Sequence, residues 1–144
     1  SSDLSFGLAQ IRQYDKLLIE RKRVFNTYDR AFKDEPWCIL PPSKDDKRET
    51  SYDVYALRIK DITEEQRDEI ISEISKSEVA VNVHFIPLPM LTQFHNMGYR
   101  IEDYPQAYEN YHHEISLPCY PQLTDEQLEF ITTTVINAYH TVVK

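Results

Sequence analysis

The stretch YDVYALRI, residues 52–59, decides the fold of this 144-residue chain. Its side chains alternate in direction, with Val54 and Ala56 on one side and Tyr55, Leu57 and Ile59 on the other. Because apolar residues stand on both sides, the pattern predicts a β-strand whose two faces are both largely covered.

Helical patterns lie on both sides of this strand. Downstream, Thr63 and Gln66 have the spacing of a capping box and precede an isoleucine stripe, which predicts a second helix. Upstream, apolar residues of residues 4–32 recur at steps of three, four or seven and predict one long amphipathic helix: Leu4, Leu8, Ile11, Leu18, Phe25, Tyr28 and Phe32. Such a length is unusual in a small domain, so we expect this helix also to pack against a part of the protein that is missing here.

The rest of the chain predicts two further strands and two further helices. Residues 33–50 read as a short extended piece and an exposed loop, and residues 79–85 as a β-branched strand that runs into a rigid loop at Pro87 and Pro89. A tyrosine-rich segment between residues 91 and 113 predicts a short helix, and residues 115–117 predict the last strand. A second capping box, at Thr124, opens a C-terminal helix with apolar positions at Leu128, Ile131, Val135, Tyr139 and Val142.

These elements predict an α+β fold in a single domain over residues 1–144. We expect a small antiparallel or mixed three-stranded sheet packed by helices, with a long N-terminal helix and a C-terminal helix. The predicted order is α, β, α, β, α, β, α.

Composition excludes several classes of function. Hydrophobic residues make up 41% and charged residues 28% of the chain, as in ordinary folded domains. A formal net charge of -8 would repel a nucleic acid backbone, so nucleic acid is not an expected partner. No apolar run approaches the ~20 residues of a membrane span, and the N-terminus lacks a signal-peptide pattern, so we expect no membrane association and a cytoplasmic location.

The cysteines and histidines have mainly structural interpretations. Cys38 and Cys119 fit reduced, packed thiols, with a single bridge between them as the alternative. The five histidines show no helical metal-ligand spacing, so no metal site is predicted. His112 and His113 are adjacent and cannot face the same way on a helix, so at most one of them should point inward.

His84 is the best single candidate for a functional side chain. It ends a predicted strand and enters a loop fixed by prolines, a position from which a rigid scaffold presents a side chain. From the residues alone, a hydrogen-bonded strand-end histidine without function fits equally well.

Four stretches of the chain resemble the C-terminal part of the DegT-type sugar aminotransferases, which have the aspartate-aminotransferase-like fold. They are residues 2–11, residues 51–57, residues 83–89 and residues 116–124. The third, VHFIPLP, is similar to the family's Val-His-Tyr-x-Pro-Leu-His loop, and the fourth, SLPCYPQLT, is similar to its Leu-Pro-x-Tyr-Pro-x-Leu-Thr segment. Two departures stand in the loop, namely Phe85 in place of tyrosine and Pro89 in place of histidine.

The resemblance implies an enzyme whose lysine-bound pyridoxal phosphate accepts an amino group, with glutamate as the expected donor, and passes it to a keto group of a nucleotide-linked sugar in glycan biosynthesis. The lysine and most cofactor contacts belong to the family's large domain. We therefore expect this chain alone to be inactive, to hold no catalytic residue and to bind no cofactor, and we expect the complete protein to be a homodimer. His84 and Phe85 are the implied substrate-binding residues, with Phe85 as an apolar wall.

Two other functions remain open at this stage. The first is a free-standing α/β module that acts through protein contacts without catalysis. The second is a hydrolase or metal enzyme built on Cys119 and the histidines, which requires a thiol with a depressed pKa or a bound metal ion.

Overall fold

A computed structural model describes the backbone of residues 2–143 and the side chains of residues 7–143. Its elements run in the order α1 (Ser2–Phe32), β1 (Cys38–Ile39), β2 (Tyr55–Ile59), α2 (Glu64–Ser75), α3 (Thr92–Asn96), α4 (Pro105–His112), β3 (Glu114–Leu117) and α5 (Asp125–Val142). Short 3₁₀ turns at Leu88–Met90 and Ile101–Asp103 flank α3. The predicted α+β class, the long first helix and the C-terminal helix are confirmed.

The sheet has three antiparallel strands in the order β1-β2-β3. In the register between β2 and β3, Tyr55 lies opposite Leu117 and Leu57 opposite Ile115. β2 is therefore the central strand, as its apolar sequence requires. One of its faces is buried by Tyr55, Leu57 and Ile59, whereas the other is only half-buried and Val54, just before the strand, is 40% exposed. The prediction of two largely covered faces is right for one face and too strong for the other.

The predicted strand over residues 79–85 is wrong. This segment makes one isolated bridge, between Asn82 and Ser116, instead of a ladder. Two residues later the backbone N–H of His84 donates to the Glu114 side chain instead of to a strand carbonyl. The β-branched pattern is present, but the segment meets β3 at only one point before Pro87 and Pro89 direct it away.

The third strand is instead β1, inside the segment predicted to be an extended piece and a loop. Cys38 and Ile39 pair with Ile59 and Arg58, and the N–H of Lys60 donates to the Trp37 carbonyl over 2.8 Å. Pro41 and Pro42 follow immediately and end the pairing. A strand of two residues is too short to show any periodicity in the sequence.

The core lies between β2 and the second half of α1. The Tyr55 ring packs against Phe25 and Tyr28 at centroid distances of 4.6 and 4.8 Å, and its hydroxyl donates to Asp29 over 2.9 Å. α5 packs against both α1 and α2 and buries Leu128, among other residues. This aromatic cluster fixes the long helix on the sheet.

Both predicted capping boxes are confirmed. Thr63 accepts from the Gln66 N–H at the start of α2, and Thr124 accepts from the Gln127 N–H at the start of α5. In each case the glutamine side chain accepts from the backbone N–H of the cap residue. Each box satisfies N–H groups that a helix start would otherwise leave unpaired.

Arg67 is a buried cation that joins three elements. Its side chain lies in α2 and is 2% exposed, and it donates to the carboxylate of Asp68 over 2.6 Å and to the carbonyl oxygen of Tyr111 over 2.9 Å. It also lies 3.4 Å from the carbonyl oxygen of Glu114 and stacks over the Tyr111 ring at 4.9 Å. These contacts compensate the cost of burying its charge and connect α2 to the end of α4 and the start of β3.

The first half of α1 is exposed in this chain. Residues 7–16 are all exposed, and the apolar side chains of Leu8, Ile11, Tyr14 and Ile19 are 50%, 72%, 47% and 67% exposed. Leu4, which belongs to the predicted stripe, lies outside the residues whose side chains are described. No helix in the described part of the chain has the length and apolar character that a membrane span requires.

Between α2 and β3 the predicted single short helix is replaced by two, α3 and α4. Pro105 is the first residue of α4, where a proline is tolerated because its missing N–H would be unpaired anyway. α4 ends at His112, and the single residue His113 separates it from β3. This tight connection places the end of α4 beside the sheet.

Core and exposed apolar residues should differ sharply in their effect on stability. Leu57→Ala removes a fully buried side chain from the central strand and should lower the free energy of unfolding by about 2–5 kcal/mol. The matched control Ile11→Ala, in the exposed half of α1, should change it by less than ~0.5 kcal/mol. Urea unfolding of the 144-residue chain, followed by circular dichroism, measures both. Equal losses would contradict the described core.

Candidate functional site

The outer edge of β3 holds the segment that carries His84. The N–H of Asn82 donates to the Ser116 carbonyl over 3.2 Å, and the N–H of Ser116 donates back to the Asn82 carbonyl over 2.7 Å. All four residues of β3 are buried. The segment is therefore attached to a strand that the core itself immobilises.

Glu114, the first residue of β3, makes the next attachment. Its Oε2 accepts from the backbone N–H of His84 over 3.0 Å, and its Oε1 accepts from the hydroxyl of Ser116. The residue is only 4% exposed, and burial raises the pKa of its carboxyl above the ordinary range, although the two hydrogen bonds oppose that shift. No pattern in the sequence predicts this role, because a glutamate at the start of a strand usually faces water.

His84 and Phe85 are exposed at the point where the segment leaves the sheet, and the peptide bond between them is cis. Their rings meet edge to face with centroids 4.6 Å apart, and Phe85 is 77% exposed. The two predicted substrate-binding residues therefore lie side by side on the surface. Substrate binding by them stays a prediction.

Two cavities lie at the two ends of this loop. The first, of about 380 Å³, has a partly polar lining that includes His84, Asn82, Asp53 and Ser116. The second, of about 400 Å³, is almost entirely apolar, with these lining residues: Pro87, Leu88, Pro89, Phe94, Tyr99, Tyr104 and Ala107. The sequence analysis predicts only a helix for the tyrosine-rich segment. It does not predict that Phe94, Tyr99 and Tyr104 line a cavity.

The thiols have structural environments. Both cysteines are free, and burial raises the pKa of Cys38 to about 12 and that of Cys119 to about 11. The Cys119 thiol donates to the carbonyl of Tyr52 over 3.2 Å. The packed-thiol interpretation is confirmed, and a hydrolase nucleophile at Cys119 is disfavoured because almost none of this thiol would be ionised near neutral pH.

One group of potential metal ligands does come together at the end of α4. His112 and His113 each place Nδ1 3.8 Å from the carboxylate of Glu109. As predicted, only one of the two histidines is fully buried: His113 is 5% exposed, whereas His112 is partly exposed and stacks on Tyr108.

The hydrogen bonding of both histidines disfavours a metal at this group. The Nδ1 of His112 lies 3.3 Å from the Tyr108 carbonyl, an oxygen that accepts only, so a proton on Nδ1 satisfies it. A metal on Nδ1 of His113 would force the proton onto Nε2, which is buried without a partner among the described residues. That the chain has no metal site stays a prediction.

The cavity beside His84 does not fit pyridoxal phosphate on its own. That cofactor needs a lysine for its carbonyl carbon and a set of donors for its phosphate group. The cavity beside His84 has neither lysine nor arginine in its lining. Lys22 and Lys44 both pair with Glu49 instead, over 2.9 and 2.7 Å.

A protein-family model matches most of the chain. Residues 4–136 match the model described as the DegT/DnrJ/EryC1/StrS aminotransferase family. Among solved structures, Spr1654 of Streptococcus pneumoniae, a protein assigned as a sugar aminotransferase, superposes in its pyridoxal-phosphate form with a TM-score of 0.92 and 34% identity. The superposition covers 97% of this chain and 36% of that protein.

Two curated relatives have more specific descriptions. A UDP-4-amino-4,6-dideoxy-N-acetyl-β-L-altrosamine transaminase of Helicobacter pylori is 28% identical over 136 residues, which is 94% of this chain. The spore coat polysaccharide biosynthesis protein SpsC of Bacillus subtilis is 29% identical over 146 aligned positions, which is 97% of this chain. The chain spans only 36% of the length of each of these two relatives.

The buried His113 should make the chain lose stability in mild acid. Burial, together with the nearby charges of His112, Arg58 and Arg67, lowers its pKa below the ordinary 6.5, and only Glu109 opposes the shift. As the pH falls below 6.5, His113 becomes protonated in the unfolded chain while it is still neutral in the folded chain. The free energy of unfolding therefore falls.

Urea unfolding at pH 7, 6 and 5 measures this dependence. His113→Gln cannot titrate and should flatten the decline over this range, whereas the control His140→Gln in α5 should leave it unchanged. An identical decline in the His113→Gln variant would show that His113 does not titrate as its burial requires.

Proposed function

Because this chain belongs to the DegT/DnrJ/EryC1/StrS aminotransferase family, we propose that it is the C-terminal small domain of a pyridoxal-phosphate-dependent enzyme. This enzyme transfers an amino group, with glutamate as the donor, to the keto group of a nucleotide-linked sugar. The product serves the synthesis of a polysaccharide or another cell-surface glycan. We also propose that the complete enzyme is a homodimer. This assembly and the glutamate donor rest on the family resemblance alone.

The relatives support both the reaction and its substrate class. The H. pylori relative is described as a transaminase of a UDP-linked amino sugar, SpsC as a polysaccharide biosynthesis protein, and Spr1654 has a pyridoxal-phosphate form. Each of these proteins is about three times as long as this chain. We therefore propose that the cofactor lysine lies in a large domain encoded upstream, and that the complete enzyme consists of that domain joined to this chain.

The single observation that carries the proposal is the exposed loop on an immobile edge. His84 and Phe85 extend from the surface beside a partly polar cavity, while the backbone just before them is bonded to β3 at Asn82 and Glu114. Rigid support behind exposed side chains is the arrangement of a binding loop. His84 offers a ring nitrogen to an oxygen of the substrate, and Phe85 offers an apolar wall without a hydroxyl.

The exposed half of α1 supports a missing domain over the free-standing module. A helical segment with solvent on every side is marginally stable, because packing supplies most of the stability of helices in proteins. Leu8 and Ile11 present an apolar surface there that an isolated module would not need. In the complete enzyme the large domain covers this surface.

Substitution of His84 tests the loop. In the complete enzyme, His84→Ala should raise the KM for the nucleotide sugar about tenfold, as expected from losing one hydrogen bond, and leave the KM for the amino donor unchanged. His140→Ala is the matched control, because His140 lies on α5 away from the loop. Unchanged kinetics for His84→Ala would remove this residue from the substrate site.

Hydrogen exchange tests the missing domain. Backbone amides of residues 8–16 should exchange rapidly in the 144-residue chain and at least a hundredfold more slowly in the complete enzyme, because packing suppresses local opening. Amides of residues 24–32, already packed in the core, serve as the internal control. Full protection of residues 8–16 in the 144-residue chain would favour the free-standing module.

A further inference from the structure

We propose that Glu114 is a positioning residue for the substrate loop, residues 84–89. It holds His84 and Phe85 in place through the backbone N–H of His84. The inference rests on the proposed function for its catalytic consequence. Its structural part rests only on the contacts of Glu114.

The Glu114 side chain divides its two oxygens between its own strand and the loop. Oε1 accepts a hydrogen bond from the hydroxyl of Ser116, two residues along β3. Oε2 accepts one from the backbone N–H of His84 over 3.0 Å. The first bond fixes the orientation of the carboxylate, and the second transfers that orientation to the loop. A carboxylate held in this way acts as a strut between β3 and a residue thirty positions earlier in the chain.

The placement of Glu114 is itself constrained from behind. Its backbone carbonyl lies 3.4 Å from the guanidinium of Arg67, and Arg58, its partner in the β2–β3 ladder, donates to Asn110 over 2.7 Å. The first contact connects the start of β3 to α2, and the second connects its partner strand β2 to α4. The carboxylate therefore has little freedom to follow the loop if the loop moves.

Beyond His84 the attachments of the loop become local. The Pro87 and Leu88 carbonyls accept from Met90 and Leu91, within a single 3₁₀ turn. The Glu114 bond is thus the last described connection to the sheet before the exposed pair. Burying a carboxylate is unfavourable unless it is well bonded, and a neutral apolar residue would pack there at lower cost. A role in fixing the loop accounts for a glutamate at this position.

Amide hydrogen exchange in the 144-residue chain, measured by NMR, tests the strut directly. Glu114→Ala should accelerate exchange of the His84 amide at least tenfold, with the Leu57 amide in the core unchanged. Glu114→Gln should restore protection, because its amide oxygen still accepts from His84 while its NH₂ group donates to Ser116. Ser116→Ala removes the bond that orients the carboxylate, so it should accelerate exchange of the His84 amide as well, but by less than Glu114→Ala does. An unaltered His84 amide in Glu114→Ala would overturn the proposal.

If Glu114→Ala does not fold, the unsubstituted chain decides. The proton shift of the His84 amide should follow the titration of the Glu114 carboxyl with a single midpoint. The titratable and charged groups that face this carboxyl are the His84 imidazole and Arg67, so the shifts of the His84 ring protons are recorded in parallel to separate the two responses to pH. Independent titrations of the His84 amide and the carboxyl would overturn the proposal.

The catalytic consequence is tested in the complete enzyme. Glu114→Ala should raise the KM for the nucleotide sugar at least fivefold while the KM for the amino donor stays within twofold, and Glu114→Gln should restore both. Glu69→Ala, an exposed residue of α2, is the matched control. Equal losses for both substrates would mean a merely structural role. If the unsubstituted enzyme transfers no amino group, the proposed function fails, and the exchange result still decides the structural part.

Discussion

The hydrogen bonds along the outer edge of β3 are the constraint on which the functional surface depends. One edge of this strand pairs with β2 in a regular ladder, and among the described residues the other edge bonds to Asn82 and, through the Glu114 side chain, to His84. Because β3 is buried over its whole length, it passes the rigidity of the core to the loop. The exposed pair His84 and Phe85 gains its fixed position from this edge.

That edge is in turn supported by the packing behind it. The aromatic cluster around Tyr55 fixes α1 on the central strand, and the buried guanidinium of Arg67 ties α2 to the backbone at both ends of the turn between α4 and β3. A buried cation of this kind is costly to leave unpaired, so its partners must hold their positions. The core and the Arg67 contacts therefore support the short edge strand β3 from behind.

Sequence reasoning recovered the elements whose signals are local. The sequence predicts the capping boxes at Thr63 and Thr124, the long helix and the alternation around Leu57, because each depends on spacing within one element. β1 was not readable, since two residues have no period. The strand predicted over residues 79–85 is wrong because the β-branched composition of this segment is the same whether it pairs along a ladder or at one bridge. Glu114 was missed since its partner lies thirty residues away.

Among the described residues, the first half of α1 and the loop from Phe85 onward both expose several large apolar side chains. Contiguous exposed apolar surfaces mark places where another surface docks, and the large domain that we propose covers them. The most direct test compares the 144-residue chain with the same chain joined to its upstream coding sequence, assaying bound pyridoxal phosphate and amino transfer from glutamate to a nucleotide-linked keto sugar. If the chain is the small domain of a sugar aminotransferase, only the joined protein should bind pyridoxal phosphate and transfer the amino group. Stoichiometric cofactor on the 144-residue chain alone, or a joined protein with neither cofactor nor transfer, would contradict it.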